Sequence, residues 1–568
     1  MATDLTLLHA PAIYDFRDRD DMLFPYLSTS GDVPITPLYE YFPLGYKTLQ
    51  RYLGERGHSV QIINLASTLL RYPKLDLPKY LASIDTKMFG LDLHWMIHVQ
   101  GSLAIAQILK RVQPDVPVLF GGISATYYAD ELVRYPQVDQ VMLGYDTHEP
   151  MVTLMEEIKG EHRFDRVPNL AWKKPSGDVV HNAFDHKPAD FACGIDWSKQ
   201  PVSQPKSLLP ILEILTTQNA GCAYNCPWCG GSREAFRRIM KRQKAMARKP
   251  ESEVAYEFGT LRTMPDRDKY HFYSVGSYNE PPGRMSNFID EVGQSGFRSV
   301  SYEQFHLTPD DVLKKMVAAN ARTSITLSPE SHDPRIAKLS GRGVYSMDEM
   351  EEWAEKALDM GIHQVDVWFF VGMPEQDHKS VMETVDYCDK LLARFEGTGL
   401  QPFICPMIPF LDPASTFFEH PEEHGYRVIH RTVEEHRRGM EHVSLIKRLN
   451  YETKWLPRKD LVIAGYDAVT KLFEVKGAHG VLPTKVAQAA ADRGRDALQF
   501  LLTVDAASDI VDASTREREL AALGPEILRR NAEIFSGSVS NQAFPVNRKI
   551  GGRWFDEIPT IEALGLAG

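Results

Sequence analysis

The chain has 568 residues and a net charge of −12, from 64 Lys and Arg against 76 Asp and Glu. Its length suggests about three to four domains, and at 43% hydrophobic and 25% charged its composition is that of a soluble globular protein. The acidic balance argues against broad nucleic-acid binding, which needs clustered positive charge, and no apolar run approaches the roughly 18–20 residues of a membrane span.

The first residues lack the basic start and apolar core of a signal peptide. Few cysteines fit a reducing compartment, so a cytoplasmic location is expected. Over the first 150 residues short apolar runs alternate with amphipathic ones. Strands are expected at 5–9, 60–65, 88–93, 116–120 and 140–143, and helices at 44–57, 101–112 and 129–135. Asp146-Thr147-His148-Glu149 has capping-box spacing and should open the next helix. This order predicts an α/β, doubly wound (Rossmann-like) parallel sheet with a ligand at the carboxyl ends of its strands. Two glycine-bearing turns fall on that edge, Gly121-Gly122-Ile123-Ser124 and Gly144-Tyr145-Asp146-Thr147. Glycines there let backbone amides approach a ligand.

Residues 161–205 read as a connector with two short strands around Pro175-Ser176-Gly177-Asp178. From 206 to 455, strands are expected at 208–217, 270–275, 299–303, 323–327, 365–371 and 402–408, with helices between them. Thr308-Pro309 and the capping box Ser346 to Glu349 should open two of those helices, and Gly361 should close the second. Six such units make a partial (β/α)6 barrel with its site on the carboxyl face. Residues 456–568 read as mainly helical, with a break at Gly524-Pro525.

The chemistry centres on Gly221-Cys222-Ala223-Tyr224-Asn225-Cys226-Pro227-Trp228-Cys229. Three of the six cysteines stand at C-x3-C-x2-C spacing directly after the first barrel strand. A structural zinc site asks for four closed ligands, whereas cuboidal iron–sulfur clusters are held by thiolates at this kind of spacing. Three thiolates on four irons leave one iron open for another ligand. A disulfide, the plainer alternative, would leave one thiol unpaired. A basic run from Arg233 to Lys249 follows and reads as a solvated helix face or a binding surface. Cys388 and Cys405 fall in apolar patterns and read as buried residues.

The cysteine spacing, with Trp228 before the last cysteine, resembles the radical S-adenosylmethionine (SAM) superfamily. Pro43-Leu44-Gly45, Gly54, Gly57, Gly121-Gly122 and Gly144 resemble the cobalamin-binding domain found upstream in one large subgroup. Pro409 to Ser415 and Asn450-Tyr451-Glu452-Thr453 are similar to one branch of it. The resemblance implies a cobalamin-binding domain over 1–160, a radical SAM barrel over 206–455 and a helical region over 456–568. It implies a [4Fe-4S] cluster on Cys222, Cys226 and Cys229, and cobalamin at Gly121, Gly122, Ser124, Gly144, Tyr145 and Thr147. It implies SAM at Gly276, Ser277, Ser328, Glu330 and Gly372. Two motifs depart from the family: its Gly-Glu-Gly-Glu is Gly144-Tyr145-Asp146-Thr147 here, and its Gly-Gly-Glu is Gly276-Ser277-Tyr278-Asn279. Asp92-Leu93-His94 follows the third strand rather than the first and is not assigned to cobalt; His94, Trp95 and His98 are placed near the corrin or in an ordinary loop.

The function the resemblance implies is methylation of an unactivated carbon, with a flavodoxin- or ferredoxin-type electron donor. A non-methylating radical reaction on the same cofactors, or a non-enzymatic sensor, are the alternatives. The substrate, small molecule or peptide, is not encoded in any pattern of the chain.

Overall fold

A computed structural model describes residues 3–27, 43–198, 212–264, 267–406, 411–536, 548–550 and 553–555. The expected strand starts at 208–211, the strand end at 407–408 and Pro409-Phe410 lie outside the described residues. Strands β1 (Leu5–His9), β2 (Val60–Asn64), β3 (Phe89–Asp92), β4 (Val118–Gly121) and β5 (Gln140–Met142) pair in parallel in the order β2-β1-β3-β4-β5. All five residues of β1 are buried, because helices cover both faces of the sheet. The strand order reverses between β1 and β3, which puts the crevice for a ligand above His9 and Asp92. The hairpin expected in the connector, β6 (Leu170–Lys173) and β7 (Val179–His181), instead extends this same sheet antiparallel from β5. It covers what would be an exposed edge.

The second sheet is built from β8 (Leu212–Thr217), then, after a short ribbon of β9 (Asn219–Gly221) and β10 (Met246–Arg248), from β11 (Tyr270–Val275), β12 (Ser299–Gln304), β13 (Thr323–Glu330), β14 (Gln364–Val371) and β15 (Leu400–Pro406). Its six strands are parallel and lie in chain order, so β8 and β15 are the open edges of a partial barrel. The strand β13 runs three residues further than expected, through a register shift between Leu327 and Glu330. Helix Arg458–Ala478 packs along β14 and β15 and covers that edge. The cysteine loop hangs from β9, whose Ala220 pairs with Ala247 of β10 outside the barrel sheet.

Several local expectations give way to tertiary packing. The capping box at Asp146 to Glu149 does not form: helix His148–Lys159 has no side-chain cap, because Asp146 turns to His148 and Ala192. Thr308 does not cap helix Asp310–Ala319, whose first turn follows Pro309 without a side-chain bond. Ser346 and Glu349 do form theirs. The helix at 458 runs through Gly477 to Ala478. The expected break at Gly524-Pro525 is absent, and Ala513–Ser536 is one helix with Pro525 inside it. A proline there costs an isolated helix about 3 kcal/mol. Bonds beyond it hold the helix in line: Asn531 accepts from the Phe24 amide and donates to the Arg19 and Met22 carbonyls, and Arg530 pairs with Asp496. These contacts tie the N-terminal segment to the last helices.

Candidate functional site

The cysteine loop is shaped by its own turns. Cys229 N–H donates to the Cys226 carbonyl at 3.2 Å, and Ser232 N–H to the Cys229 carbonyl at 3.2 Å. Ser232 then caps helix Arg233–Met240. Under the loop lies Gly341, at φ +82; a Cβ there would sit 2.8 Å from the Cys226 Cα, so no side chain fits. All three thiols are free, and Cys222 and Cys226 are buried. Burial pushes the Cys226 thiol up to about 12, with Arg342 pulling the other way. Burial, then the neighbouring acidic groups Asp412 and Cys226, drives Cys229 well above its usual range. Backbone amides already aim at the sulfurs: Tyr224 N–H lies 3.3 Å from Cys222 Sγ, and the Gly231 amide bonds to Cys229. Amide donors and crowded thiols suit a bound cation that would ionise them. Among the described residues no three His, Cys, Asp or Glu side chains are arranged for one metal ion. A cuboidal cluster instead takes each thiolate on a separate iron, so its ligands need not converge on one point.

The SAM candidates surround this loop, and most have internal partners. Gly276 N–H donates to Glu303 Oε2 at 2.8 Å, and Ser277 Oγ to the Glu303 carbonyl at 2.6 Å. Gly372 N–H is taken by Gln376 Oε1 at 2.9 Å, and its carbonyl accepts from Tyr426 at 2.8 Å. Ser328 is buried on β13. Glu330 ends that strand at φ +69, a backbone conformation that costs a non-glycine residue roughly 1–3 kcal/mol. Its Oε1 accepts from Arg342 Nε at 2.8 Å. Burial raises the Glu330 carboxyl to about 7 although Arg342 opposes it. Arg342 lies 3.4 Å over the Phe305 ring, and both its Nη1 and Glu330 Oε2 are buried without a hydrogen-bond partner.

On the opposing edge, Gly121 has open space where a Cβ would be, whereas a Cβ on Gly122 would sit 2.7 Å from the His94 nitrogen. Gly122 is therefore needed for packing against the β3 loop. Ser124 Oγ donates to the His94 carbonyl at 3.3 Å, and Gly144 N–H to Thr126 Oγ1 at 3.1 Å. Tyr145 donates to the Pro188 carbonyl and carries Arg242 4.7 Å over its ring. Tyr145, Thr147 and His148 line a cavity of about 200 Å³, whose other walls include Thr48 and, from β9, Asn219 and Ala220. His148 is 5% exposed; its Nδ1 pairs with Asp146 Oδ1 at 2.7 Å and its Nε2 has no hydrogen-bond partner. Burial alone would raise the Asp146 carboxyl; the bond and charge of His148, with the Ala192 amide, bring it below the usual carboxylate range. A second such group sits nearby: Asp92 bonds His9 at 3.0 Å and His94 at 2.7 Å, and these outweigh burial to hold it well below that range. The His98 ring lies 5.0 Å from His9 and 5.3 Å from His94.

One carboxylate joins the two edges. Asp412 accepts Trp95 Nε1–H at 3.1 Å and Gly230 N–H at 3.0 Å. Trp95 belongs to the β3 loop and Gly230 follows the last cysteine. Two family models match along the chain, the B12 binding domain over residues 32–152 and the radical SAM superfamily over 219–388.

The chain carries a B12-binding domain followed by a radical SAM domain.

Its fold is similar to that of TsrM from Kitasatospora setae, a radical SAM methyltransferase solved with cobalamin and a [4Fe-4S] cluster. That likeness spans 94% of this chain and 100% of that one, at 15% identity and a TM-score of 0.55. It is also similar to OxsB, a cobalamin-dependent SAM radical enzyme solved with aqua-cobalamin and SAM, over 94% of this chain and 72% of that one, at 14% identity and a TM-score of 0.51. At these identities the likeness is one of fold. No curated protein matches the chain by sequence.

Sequence reasoning singled out the cysteines and the two glycine turns. It missed Gly341 and Arg342, and it carried Tyr278, Asn279, His148 and Asp412 inside motifs without giving them a role in the site. Gly341-Arg342-Gly343 shortly after β13 was the one available signal, since two glycines around a buried arginine mark a tight approach. The others carry no local signature.

Proposed function

We propose that this protein is a cobalamin-dependent radical SAM enzyme that replaces a C–H bond of an unactivated carbon with C–CH3. The observation that carries the reading is the juxtaposition of the two edges. The cavity beside Tyr145 and Thr147 shares β9 with the cysteine loop, and Asp412 ties Trp95 to Gly230. The two family models fall on these two regions. The similarity to a cobalamin-bearing methyltransferase favours methyl transfer over other outcomes.

When bound, the cluster would supply the electron for reductive cleavage of SAM, and the corrinoid a transferable methyl group. The chain's own part is binding, orientation and exclusion of water. Cys222, Cys226 and Cys229 would hold the irons, with the Tyr224 and Gly231 amides orienting sulfur. Asn279 Oδ1 fixes the loop through the Ala223 amide at 2.9 Å. Ser328, Glu330 and the unpaired Nη1 of Arg342 would meet SAM, while Gly276, Ser277 and Gly372 shape that pocket through their internal bonds. Gly121, Gly144, Tyr145, Thr147 and His148 would receive the corrinoid, with Gly122 and Ser124 supporting the turn.

The test is anaerobic purification from cobalamin-fed cells, then turnover with methyl-labelled SAM, a reduced flavodoxin and candidate substrates. Near-stoichiometric corrinoid, 5′-deoxyadenosine and label in product are expected. Label absent from product while 5′-deoxyadenosine forms would move the reading to a non-methylating radical reaction. Neither corrinoid nor 5′-deoxyadenosine would leave only a sensor or a scaffold.

A further inference from the structure

The turn after β11 does something other than present its first two residues to a ligand. Gly276 and Ser277 are committed to Glu303, and the next two residues, Tyr278 and Asn279, turn towards the cysteine loop. The Tyr278 hydroxyl lies 3.8 Å from Cys222 Sγ. Its ring is held by two aromatic neighbours. It stacks on Phe305 with centroids 3.6 Å apart and planes at 19°, meets Tyr224 edge-on at 5.6 Å, and Phe305 is backed by the Arg342 guanidinium. The hydroxyl oxygen is therefore fixed in position.

As a thiol, Cys222 can donate towards Tyr278 or Asn279 Oδ1 at 3.6 Å. As an iron-bound thiolate it has no proton to give, and Asn279 Oδ1 can only accept. Tyr278 is then the side chain within reach whose proton can be turned to the sulfur. Hydrogen bonds to cluster sulfurs withdraw negative charge, favour the reduced state and raise its potential.

We propose that the Tyr278 hydroxyl donates a hydrogen bond to the cluster-bound Cys222 thiolate and sets the reduction potential of the cluster. Tyr278 is a positioning residue here, acting through Cys222 rather than on substrate. The proposal rests on the reading that Cys222, Cys226 and Cys229 hold a cluster.

The experiment is a redox titration of the full-length reconstituted protein, followed by electron paramagnetic resonance of the reduced cluster, for wild type, Tyr278→Phe and Tyr224→Phe. The phenylalanine at 278 keeps the stack and removes only the hydroxyl. The Tyr224 hydroxyl faces His306 at 3.3 Å rather than a sulfur, so its removal is the control. A midpoint displaced to more negative potential in Tyr278→Phe, and unmoved in Tyr224→Phe, is the expected result. Equal midpoints in all three proteins would overturn the proposal. So would a Tyr278→Phe protein that assembles no cluster while Tyr224→Phe does, since that assigns the hydroxyl to assembly. A wild-type protein without a cluster signal would instead sink the function proposed above.

Discussion

The two edges that face each other differ in how they are built. On the barrel side, the three cysteines proposed as ligands come from one loop of eight residues, and neighbouring elements lock that loop from below at Gly341 and from the side at Asn279. On the N-terminal side, the polar groups come from the ends of β1 and β3 and from the loops after β3, β4 and β5, and two buried carboxylates, Asp92 and Asp146, orient histidines among them. A compact inorganic group needs a few ligands close in sequence. A large organic cofactor needs many weak contacts, and those can be supplied from anywhere along an edge. Where the related family carries Gly-Glu-Gly-Glu, Asp146 turns inward and holds His148 and Ala192.

The largest expected effect separates the edges. Replacing Cys222, Cys226 and Cys229 together by Ala should remove all cluster iron and all 5′-deoxyadenosine formation while corrinoid is retained. Iron and corrinoid analyses on one sample check it, and joint loss of both cofactors would mean that the edges are not independent.

Asp412→Ala attacks the joint between them. It leaves Trp95 Nε1–H and Gly230 N–H without their acceptor, at about 1–3 kcal/mol for each donor that stays buried. A lower midpoint in denaturant unfolding is expected, with Asp412→Asn intermediate because it keeps one acceptor oxygen. An unchanged midpoint in the alanine variant would show that water replaces the carboxylate.

The helix Val433–Met440 packs between the halves, and its His436 gives a pH signature. Burial lowers this imidazole to about 4. It donates from Nδ1 to the Thr432 carbonyl at 2.8 Å and accepts at Nε2 from Asn450 at 3.2 Å, so it is neutral when folded. The unfolded chain takes up this proton near pH 6.5 and the folded chain only near 4, so stability falls as pH drops through that window. The loss approaches roughly 3 kcal/mol at its acid end. Unfolding free energies from pH 7 to 4 for wild type and His436→Gln measure it; parallel curves would place the pH dependence elsewhere.

The smallest effect concerns the cavity alone. His148→Asn removes the unpartnered Nε2 while keeping a donor near the place of Nδ1 for Asp146, and a single lost hydrogen bond of about 1 kcal/mol weakens corrinoid retention roughly fivefold. Iron content should not move. If it does, the cavity wall made by β9 transmits the change to the cysteine loop.

Much of this architecture could be read from periodicity. The five parallel strands of the first sheet and the six of the barrel stand within a few residues of their expected places over the described residues, because a fully buried parallel strand is a short apolar run bounded by turn residues. Features at element ends were less legible. Pro525 reads as a break, yet contacts from Phe24 and Asp496 carry the helix through it. The hairpin at 170–181 was visible as two strands, while its place on the edge of the first sheet depends on β5, about 30 residues earlier.

The site divides along the same line. The spacing of Cys222, Cys226 and Cys229 is a local property: three ligands within eight residues can meet one cluster whatever surrounds them, so the motif shows in the chain itself. Tyr278 against Cys222, Arg342 on Phe305, and Asp412 between Trp95 and Gly230 join residues 56, 37, 317 and 182 positions apart. No periodicity spans such intervals. Only the packing of two sheets and the loops between them brings these groups within hydrogen-bonding and stacking distance.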